Sequence, residues 1–452
     1  MLMPRGGLPV LILLVLVECF VTVSVEVLTL RQLMPFVGNS VVVTSLIIGI
    51  FLLFLALGYQ RGGSRSGDFH RILCRNFLLA AVWTGIGLCY PFIQGLFRFL
   101  AGLGITGLPA LTIYLLLVTS PLVWLLGQTV PMAAHLFPDT RVGPVSGRVL
   151  FVSTLGSFLG SVLTTLVLMN WLGVGATVFI DTLLLAGLAL LVAGRSRALA
   201  GLAMAGCLGL AYGLNVHYNR SVFVADNAHG NYRVVDRGGD RELLVNNSFS
   251  SRIGADGGNY WYIETLRRLL AEAGVYDGEV LVLGAGGFTL SRPGETNRYT
   301  YVDIDPEIRA IVAEHFNPRI NGAFAGEDAR IFVLRDARRY DAIVSDVYLN
   351  SVAIPGHLLT VEHFRALAGR LKDGGIALFN VILNPFMTDP YSRRVDNTLR
   401  AVFPDCMALP RFFENAATNV IYACRRHPAG ADDATIYTDD RNSVSFDMTR
   451  LR

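Results

Sequence analysis

The segment "DAIVSDVYLNSVAIPGHLLT" runs out of an apolar stretch into an aspartate, Asp346, followed by a polar loop. A carboxylate at such a strand end can orient a cationic group and accept its proton. Tyr348, Asn350 and His357 lie in the same loop and read as substrate-facing polar residues. Upstream, "EVLVLGAGGF" closes on Gly284-Ala285-Gly286-Gly287. Glycines there let backbone come close to a ligand and expose helix N–H groups. The next run, "TYVDIDP", carries Asp303, 17 residues beyond Gly286, where an acid can hold a ribose diol. Asp305, followed by Pro306, reads instead as a helix cap. "RIFVLRDA" is expected to be a third strand ending in Asp336-Ala337, whose carboxylate would reach an adenine amino group. In order along one sheet, these features point to an adenosine-type ligand. A GxxxxGK[ST] loop is missing from the sequence, so a triphosphate is not expected, and S-adenosylmethionine (AdoMet) fits better.

These residues need a scaffold that brings strand ends together. From about residue 259, strand-like runs such as "EVLVLG", "TYVDI", "RIFVLR", "DAIVSD" and "IALFNVI" alternate with or precede helical ones such as "PEIRAIVAEHF" and "TVEHFRALAGRL". That alternation predicts a doubly wound, mostly parallel α/β sheet with ligands at the carboxyl ends of its strands. Ahead of it, "YRVVDRGGDRELLVNNSFSSRI" reads as two strands around an Arg-Gly-Gly-Asp turn, a small β-hairpin subdomain. The expected organisation is a transmembrane domain over 1–216, the hairpin subdomain over 217–258 and a Rossmann-like AdoMet-type domain over 259–452.

Hydrophobic residues make up 52% of the 452 and charged ones 16%, too apolar a balance for an ordinary soluble chain. The excess lies before residue 216, where seven spans are expected, at roughly 8–30, 39–59, 76–97, 107–136, 148–171, 173–193 and 198–215. The fourth, with Pro121 and Pro131, should be kinked or tilted. In the fifth, Gly156 and Gly160 beside Ser153, Ser157 and Ser161 predict a close helix-packing face. Glu18, Glu26 and Asp181 fall in or at the edges of spans and need partners or a wet cavity; Arg31 is the expected partner of Glu26. Nine arginines lie on one side of this arrangement and two on the other, which places the N-terminus in the cytoplasm. Seven spans would put the second half outside, whereas AdoMet is made inside, so the side of that half stays open.

The net charge of +3 gives no argument for nucleic acid. Six cysteines without CxxC spacing and eight histidines without an HxxxH pair give none for a metal. Cys406 and Cys424, near the final strands, are expected to stay reduced.

The chain resembles the spermidine synthases (polyamine aminopropyltransferases), in particular bacterial relatives with a multi-span domain ahead of the synthase-like one. The likeness is carried by "LLVNNSFSSRI", "NYWYIE", "VLVLGAGGFTLS", "YVDID", "RDARRYDAIVSDVY", "IPGHLLTVEHF" and "YTDD". It implies transfer of an aminopropyl group from decarboxylated AdoMet to a diamine, with Asp303 on the ribose, Asp336 on the adenine and Asp346 as the catalytic acid–base group. Tyr262 and Glu264 match a Tyr-x-Glu segment of the polyamine groove. The resemblance also implies a multi-pass bacterial inner-membrane protein, contact with lipid, and a homodimer. Departures cluster at the cationic end of the site. Leu349 replaces a second aspartate of the loop, Gly287 an aspartate that holds the propylamine, and Ile263 a polar residue.

Three readings follow. The first is a membrane-bound aminopropyltransferase acting on a polyamine or related small-molecule amine. The second transfers a methyl or carboxypropyl group from AdoMet to a less cationic acceptor, because the aspartates that would repel a carboxylate-bearing donor are missing. The third is a nucleoside- or polyamine-binding membrane sensor or transporter.

Overall fold

The computed structural model describes residues 7–38, 40–136, 142–193, 197–348, 354–425 and 436–448. The chain divides into two compact units, 1–37 with 43–228 and 38–42 with 229–452.

The first unit is helical: α1 (Leu8–Val37), α2 (Val41–Gly63), α3 (Phe69–Gly87), α4 (Tyr90–Gly102), α5 (Gly107–Tyr114), α6 (Ser120–Gly127), α7 (Thr129–Ala134), α8 (Val142–Leu163), α9 (Met169–Leu172), α10 (Val174–Val192), α11 (Arg197–Ala211) and α12 (Tyr218–Val222). A two-residue strand, β1 (Ala225–Asp226), follows. Among the described residues five helical stretches are long and apolar enough to cross a membrane, or six with the bent pair α3–α4, against the seven expected. The third expected span is broken by 66° where Pro91 starts α4. The carbonyls freed there, those of Gly87 and Leu88, accept from Tyr114 Oη (2.8 Å) and Gln32 Nε2 (3.0 Å), so neither is left unsatisfied among apolar helices. The seventh, α11 to α12, is helical but does not reach the length and hydropathy of a span.

The fourth expected span, anticipated as tilted, kinked or partly re-entrant, is a single helical stretch over Gly107–Ala134 whose turns change width ahead of Pro121. Pro121 has no N–H and its ring crowds the carbonyl four residues back, and the five residues 115–119 widen into a π-turn. Small residues on α8 behave as anticipated. A Cβ at Gly156 would stand 2.4 Å from the Leu16 carbonyl oxygen of α1, and one at Gly160 2.3 Å from that of Phe20. Buried carboxylates find hydroxyl partners: Thr22 Oγ1 donates to Glu18 (2.7 Å) and Ser24 Oγ to Asp181 (2.6 Å). Arg31 is taken by Asp226 (3.2 Å) and the Asn227 carbonyl (2.8 Å), not by Glu26 as the sequence suggested.

The second unit opens with β2 (Asn231–Arg237), β3 (Asp240–Val245) and β4 (Ser248–Ile253). This is a three-stranded meander, one strand more than the expected hairpin, because two tight turns occur. Gly238-Gly239 makes the first and Asn246-Asn247, both at positive φ, the second. Then come α13 (Trp261–Glu272), β5 (Glu279–Leu283), β6 (Arg298–Asp303), α14 (Ile308–His315), β7 (Ala323–Gly326), α15 (Ala329–Arg335), β8 (Tyr340–Ser345), α16 (Val361–Arg370), β9 (Leu371–Leu383), α17 (Pro390–Arg400), β10 (Met407–Pro410), β11 (Thr418–Arg425) and α18 (Val444–Met448). The sheet order is β10-β11-β9-β8-β5-β6-β7. Strands β9, β8, β5, β6 and β7 are mutually parallel, and β11 and β10 close the edge antiparallel. Its central strands are buried on both faces, which is why they read as continuous Val, Leu and Ile runs.

Two expectations fail here. "RIFVLR" is helix α15, not the third strand; that strand is the shorter "AFAG" of β7. Ala329, Phe332 and Val333 are buried while Ile331 and Leu334 are exposed, a helical period rather than alternation. Cys406 and Cys424 are joined as a disulfide. They stand one step beyond the β10–β11 partners Met407 and Ala423, so strand register itself brings the sulfurs together.

Candidate active site

Strand order reverses between β5 and β8, and the crevice at such a reversal is where open α/β sheets bind ligands. Gly284 leaves β5 at φ +88°, and a Cβ on it would lie 2.1 Å from the Asp346 carbonyl oxygen. Only glycine allows the ends of β5 and β8 to close this far, and the Asp346 N–H donates to the Leu283 carbonyl across the gap (2.8 Å). Gly286 is also left-handed, at φ +49°, and faces the Ser250 and Ser251 hydroxyls of β4. Gly287 N–H donates to Ser251 Oγ (2.9 Å). A Cβ at Gly287 would meet Phe316 Cε1 at 2.5 Å and Ser251 Cβ at 2.7 Å. The place where the resemblance expects an acidic side chain is therefore filled from two other elements. No helix follows this glycine turn, contrary to expectation: residues 284–297 are turns and bends, and the next helix is α14.

Asp303 ends β6 and holds the glycine turn. Its carboxylate accepts from the backbone N–H groups of Ala285 (2.9 Å) and Asp305 (3.1 Å). Burial raises its pKa. Each oxygen keeps lone-pair capacity for a ligand hydroxyl. Asp305 accepts from the Glu307 N–H (2.9 Å) and from the Tyr232 phenol (2.6 Å). It shapes the turn into α14, while the helix proper starts at Ile308.

Asp346 sits immediately past β8 and lines a partly open cavity of about 20 Å³ with Tyr262, Ile263, Leu266, Gly284, Gly286 and Ser251 among its walls. That is room for about one water. Asn380 Nδ2 donates to Asp346 Oδ1 (2.8 Å), and the Tyr262 phenol, which donates to the Ser250 carbonyl, lies beside the same carboxylate. Burial pushes the Asp346 carboxyl up to about 6, against the lowering effect of Asn380 and Tyr262. Tyr262 itself is pushed well above the usual phenol range by burial and by Asp346. Tyr348 turns away, its hydroxyl donating to the Asn380 carbonyl (3.0 Å).

Other sequence candidates are placed elsewhere. Asp336 caps the C-terminus of α15, ahead of β8, and so lies at the opposite end of that strand from Asp346. Its carboxylate is taken by Arg338 Nε (3.0 Å) and the Tyr340 hydroxyl. These outweigh burial and keep its pKa below the ordinary value. Ala337 follows it into the same connection. The adenine assignment to Asp336 is thus corrected.

Asp328 is the residue the sequence reading missed. It lies two residues beyond β7, beside the end of β6, whose Asp303 pairs with Gly326. Its Oδ1 caps α15 through the Arg330 (2.9 Å) and Ile331 (3.0 Å) N–H groups, and its Oδ2 meets His357 Nε2 at 3.0 Å. Burial raises it, but the Ile331 N–H and the His357 ring prevail and hold it low. The signal was present twice: Asp-Ala-Arg occurs at 328–330 and again at 336–338. Only the helix between them decides which copy is at a carboxyl end.

Glu264 does not line the cavity. Two residues from Tyr262 on a helix is the opposite face, and it pairs there with Arg267 (2.7 Å) and Arg292 (3.1 Å). His357 faces Asp328 rather than Asp346. Leu349 and Asn350 lie outside the described residues. "YTDD" acts through Asp439, which grips Arg330 of α15 from two sides. Among the described residues no group of three or more His, Cys, Asp or Glu side chains is placed to hold a metal ion.

A curated relative, a probable polyamine aminopropyl transferase of Bifidobacterium longum, is 24% identical over 149 residues. The chain resembles the polyamine aminopropyltransferases. The match covers 32% of this chain, which spans about a third (33%) of the relative's length. No family model matches the chain. Among solved structures, a probable spermidine synthase from Corynebacterium glutamicum aligns with a TM-score of 0.39 at 19% identity, over 46% of this chain and 81% of its own. Spermidine synthase from Thermotoga maritima aligns with a TM-score of 0.33 at 14% identity, over 48% and 80%.

Proposed function

We propose that the chain is a membrane-anchored, AdoMet-type transferase that moves an aminopropyl group from decarboxylated AdoMet to an amine. The observation that carries this reading is Asp346. It is one carboxylate at the β5–β8 crevice, hydrogen-bonded by Asn380 and raised by burial to about 6. Such a group is ionised at neutral pH yet basic enough to take a proton from an ammonium acceptor. The acceptor nitrogen then forms a bond to the propyl carbon on the sulfonium. The carbon–sulfur bond breaks, its electron pair stays on sulfur, and methylthioadenosine leaves. Asp303 would hold the ribose and Asp328, not Asp336, the adenine. A nucleoside exceeds this cavity of about 20 Å³, so it would lie along the strand ends outside it, with the reacting carbon towards Asp346. Anchoring rests on the apolar helices of the first unit.

A second reading, methyl or carboxypropyl transfer from AdoMet itself, is favoured by one feature. Asp346 is the one carboxylate lining the cavity, and Gly287 is walled in by Ser251 and Phe316. A donor that keeps its own carboxylate meets less repulsion there. Mass spectrometry of the nucleoside formed by the full-length protein with each donor and an amine and lipid extract separates the two. Methylthioadenosine from the decarboxylated donor is expected. S-adenosylhomocysteine from AdoMet would instead establish methyl transfer, and no product from folded protein would overturn both.

A further inference from the structure

Asn380 is a buried amide within the otherwise apolar stretch "IALFNVIL" of β9. All of its polar groups that face the loop are committed. Its Nδ2 donates to Asp346 Oδ1 (2.8 Å), its Oδ1 accepts from Asn419 Nδ2 on β11 (3.0 Å), and its carbonyl accepts from Tyr348 (3.0 Å). The direction of this chain is fixed by chemistry. An ionised carboxylate only accepts, so Asn380 must present its NH₂ to Asp346 and its oxygen to Asn419, which must then donate. Three neighbouring strands, β11, β9 and β8, thereby act on one carboxylate from the side away from the cavity.

We infer that Asn380 and Asn419 form a one-way amide relay that positions Asp346 and holds it as an acceptor. The proposal rests on the reading of Asp346 as the proton acceptor, and Asn419 acts only through Asn380. The titratable group facing Asp346 is Tyr262 on α13; Tyr348, on the same loop as Asp346, lies near enough to feel its charge although its hydroxyl is turned to Asn380, and Tyr391 of α17 stands behind it. All three phenols are pushed above their ordinary value by burial and stay neutral across the range in which a carboxyl titrates. β5 contributes Gly284, which has no side chain. The amide chain and the Tyr262 phenol are therefore the two levers that oppose burial at Asp346, and the amide is the first of them.

The test is an infrared titration of full-length protein in micelles, read as the carboxyl band lost in Asp346→Asn. Asn380→Leu should raise the Asp346 midpoint by about one pH unit, a tenfold change, since a hydrogen bond to a charged group is removed. Asn419→Leu should raise it by less. The double variant should match Asn380→Leu alone. An unchanged midpoint in Asn380→Leu, or additive shifts in the double variant, overturns the relay. Where Asn380→Leu fails to fold, Asn419→Leu decides, and an unmoved midpoint there overturns it equally. Product formation measured against pH in the same variants tests the catalytic reading separately. Midpoints that move without the rate following would keep the relay and remove the catalytic role of Asp346.

Discussion

Replacing Gly287 by alanine should be costly for reasons visible in three atoms. The new Cβ would stand 2.5 Å from Phe316 Cε1, 2.7 Å from Ser251 Cβ and 2.9 Å from Ser251 Oγ. Phe316 is buried, and Ser251 is fixed in β4, so neither neighbour can yield cheaply. Overpacking of this kind costs about 1–3 kcal/mol. Displacing Ser251 also loses its bond from the Gly287 N–H, about 1 kcal/mol more. Gly287 is not among the left-handed glycines, so no backbone penalty is added, and the total is about 2–4 kcal/mol. Ser251→Gly removes two of the three contacts. The double variant should therefore be less destabilised than the sum of its parts by about 1–2 kcal/mol, a coupling typical of touching residues. Urea unfolding of the full-length protein in micelles, followed by hydrogen exchange of peptides from β5 and β6, measures both quantities. A neutral Gly287→Ala, or strict additivity with Ser251→Gly, would refute the packing argument. Confirmation would mean that Phe316 and Ser251 are packed around a glycine and leave no room at position 287 for a side chain without rearrangement.

Other outcomes are expected. Asp328→Asn should weaken methylthioadenosine binding at least tenfold, the loss of one hydrogen bond to a charged group, while Asp336→Asn leaves it unchanged; calorimetry distinguishes them, and the reverse ranking would restore the original assignment. Turnover should rise with pH through about 6 as Asp346 ionises. Stability should move the opposite way. The folded-state pKa is raised above the unfolded one, so the contribution is complete below about 4 and is lost as pH rises through about 6; Asp346→Asn should flatten that slope in pH-dependent melts. Gly160→Leu should separate α1 from α8 and abolish the folded helical unit in detergent, seen by size-exclusion chromatography. Cys406→Ser should cost about 3 kcal/mol, the entropy of a loop closed over 18 residues, measured as a shift in urea midpoint.

Much of the α/β unit was legible because its central strands are buried on both faces and carry unbroken apolar runs. β5, β6, β8 and β9 announced themselves that way, and the glycine turn and Asp303 came with them. α15 failed because seven residues are too few to display a helical period against the alternation of "RIFVLR". That error set the proposed adenine acid at Asp336 rather than at its look-alike, Asp328, eight residues earlier. Glu264 failed for a different reason: it was matched by motif alone, and on helix α13 two residues from Tyr262 is the opposite face, where it pairs with Arg267 and Arg292. Asn380 and Asn419 gave only one sign, a lone amide in an apolar strand, and their meaning depends on pairings between strands far apart in sequence. Apolar content located the long apolar helices, but not where proline and satisfied carbonyls would break them.

The Cys406–Cys424 bond has a consequence for how this protein meets copies of itself. β10 is an edge strand of only four residues, paired to β11 along one side and, among the described residues, to no strand along the other. Short edges fray, and a frayed β10 would uncover the long β11 as a template for a strand from another molecule. A covalent tie at the outer end of the pair keeps that template closed even when backbone hydrogen bonds open transiently. The bond thus guards against strand exchange and aggregation, a hazard that grows with the local concentration of copies.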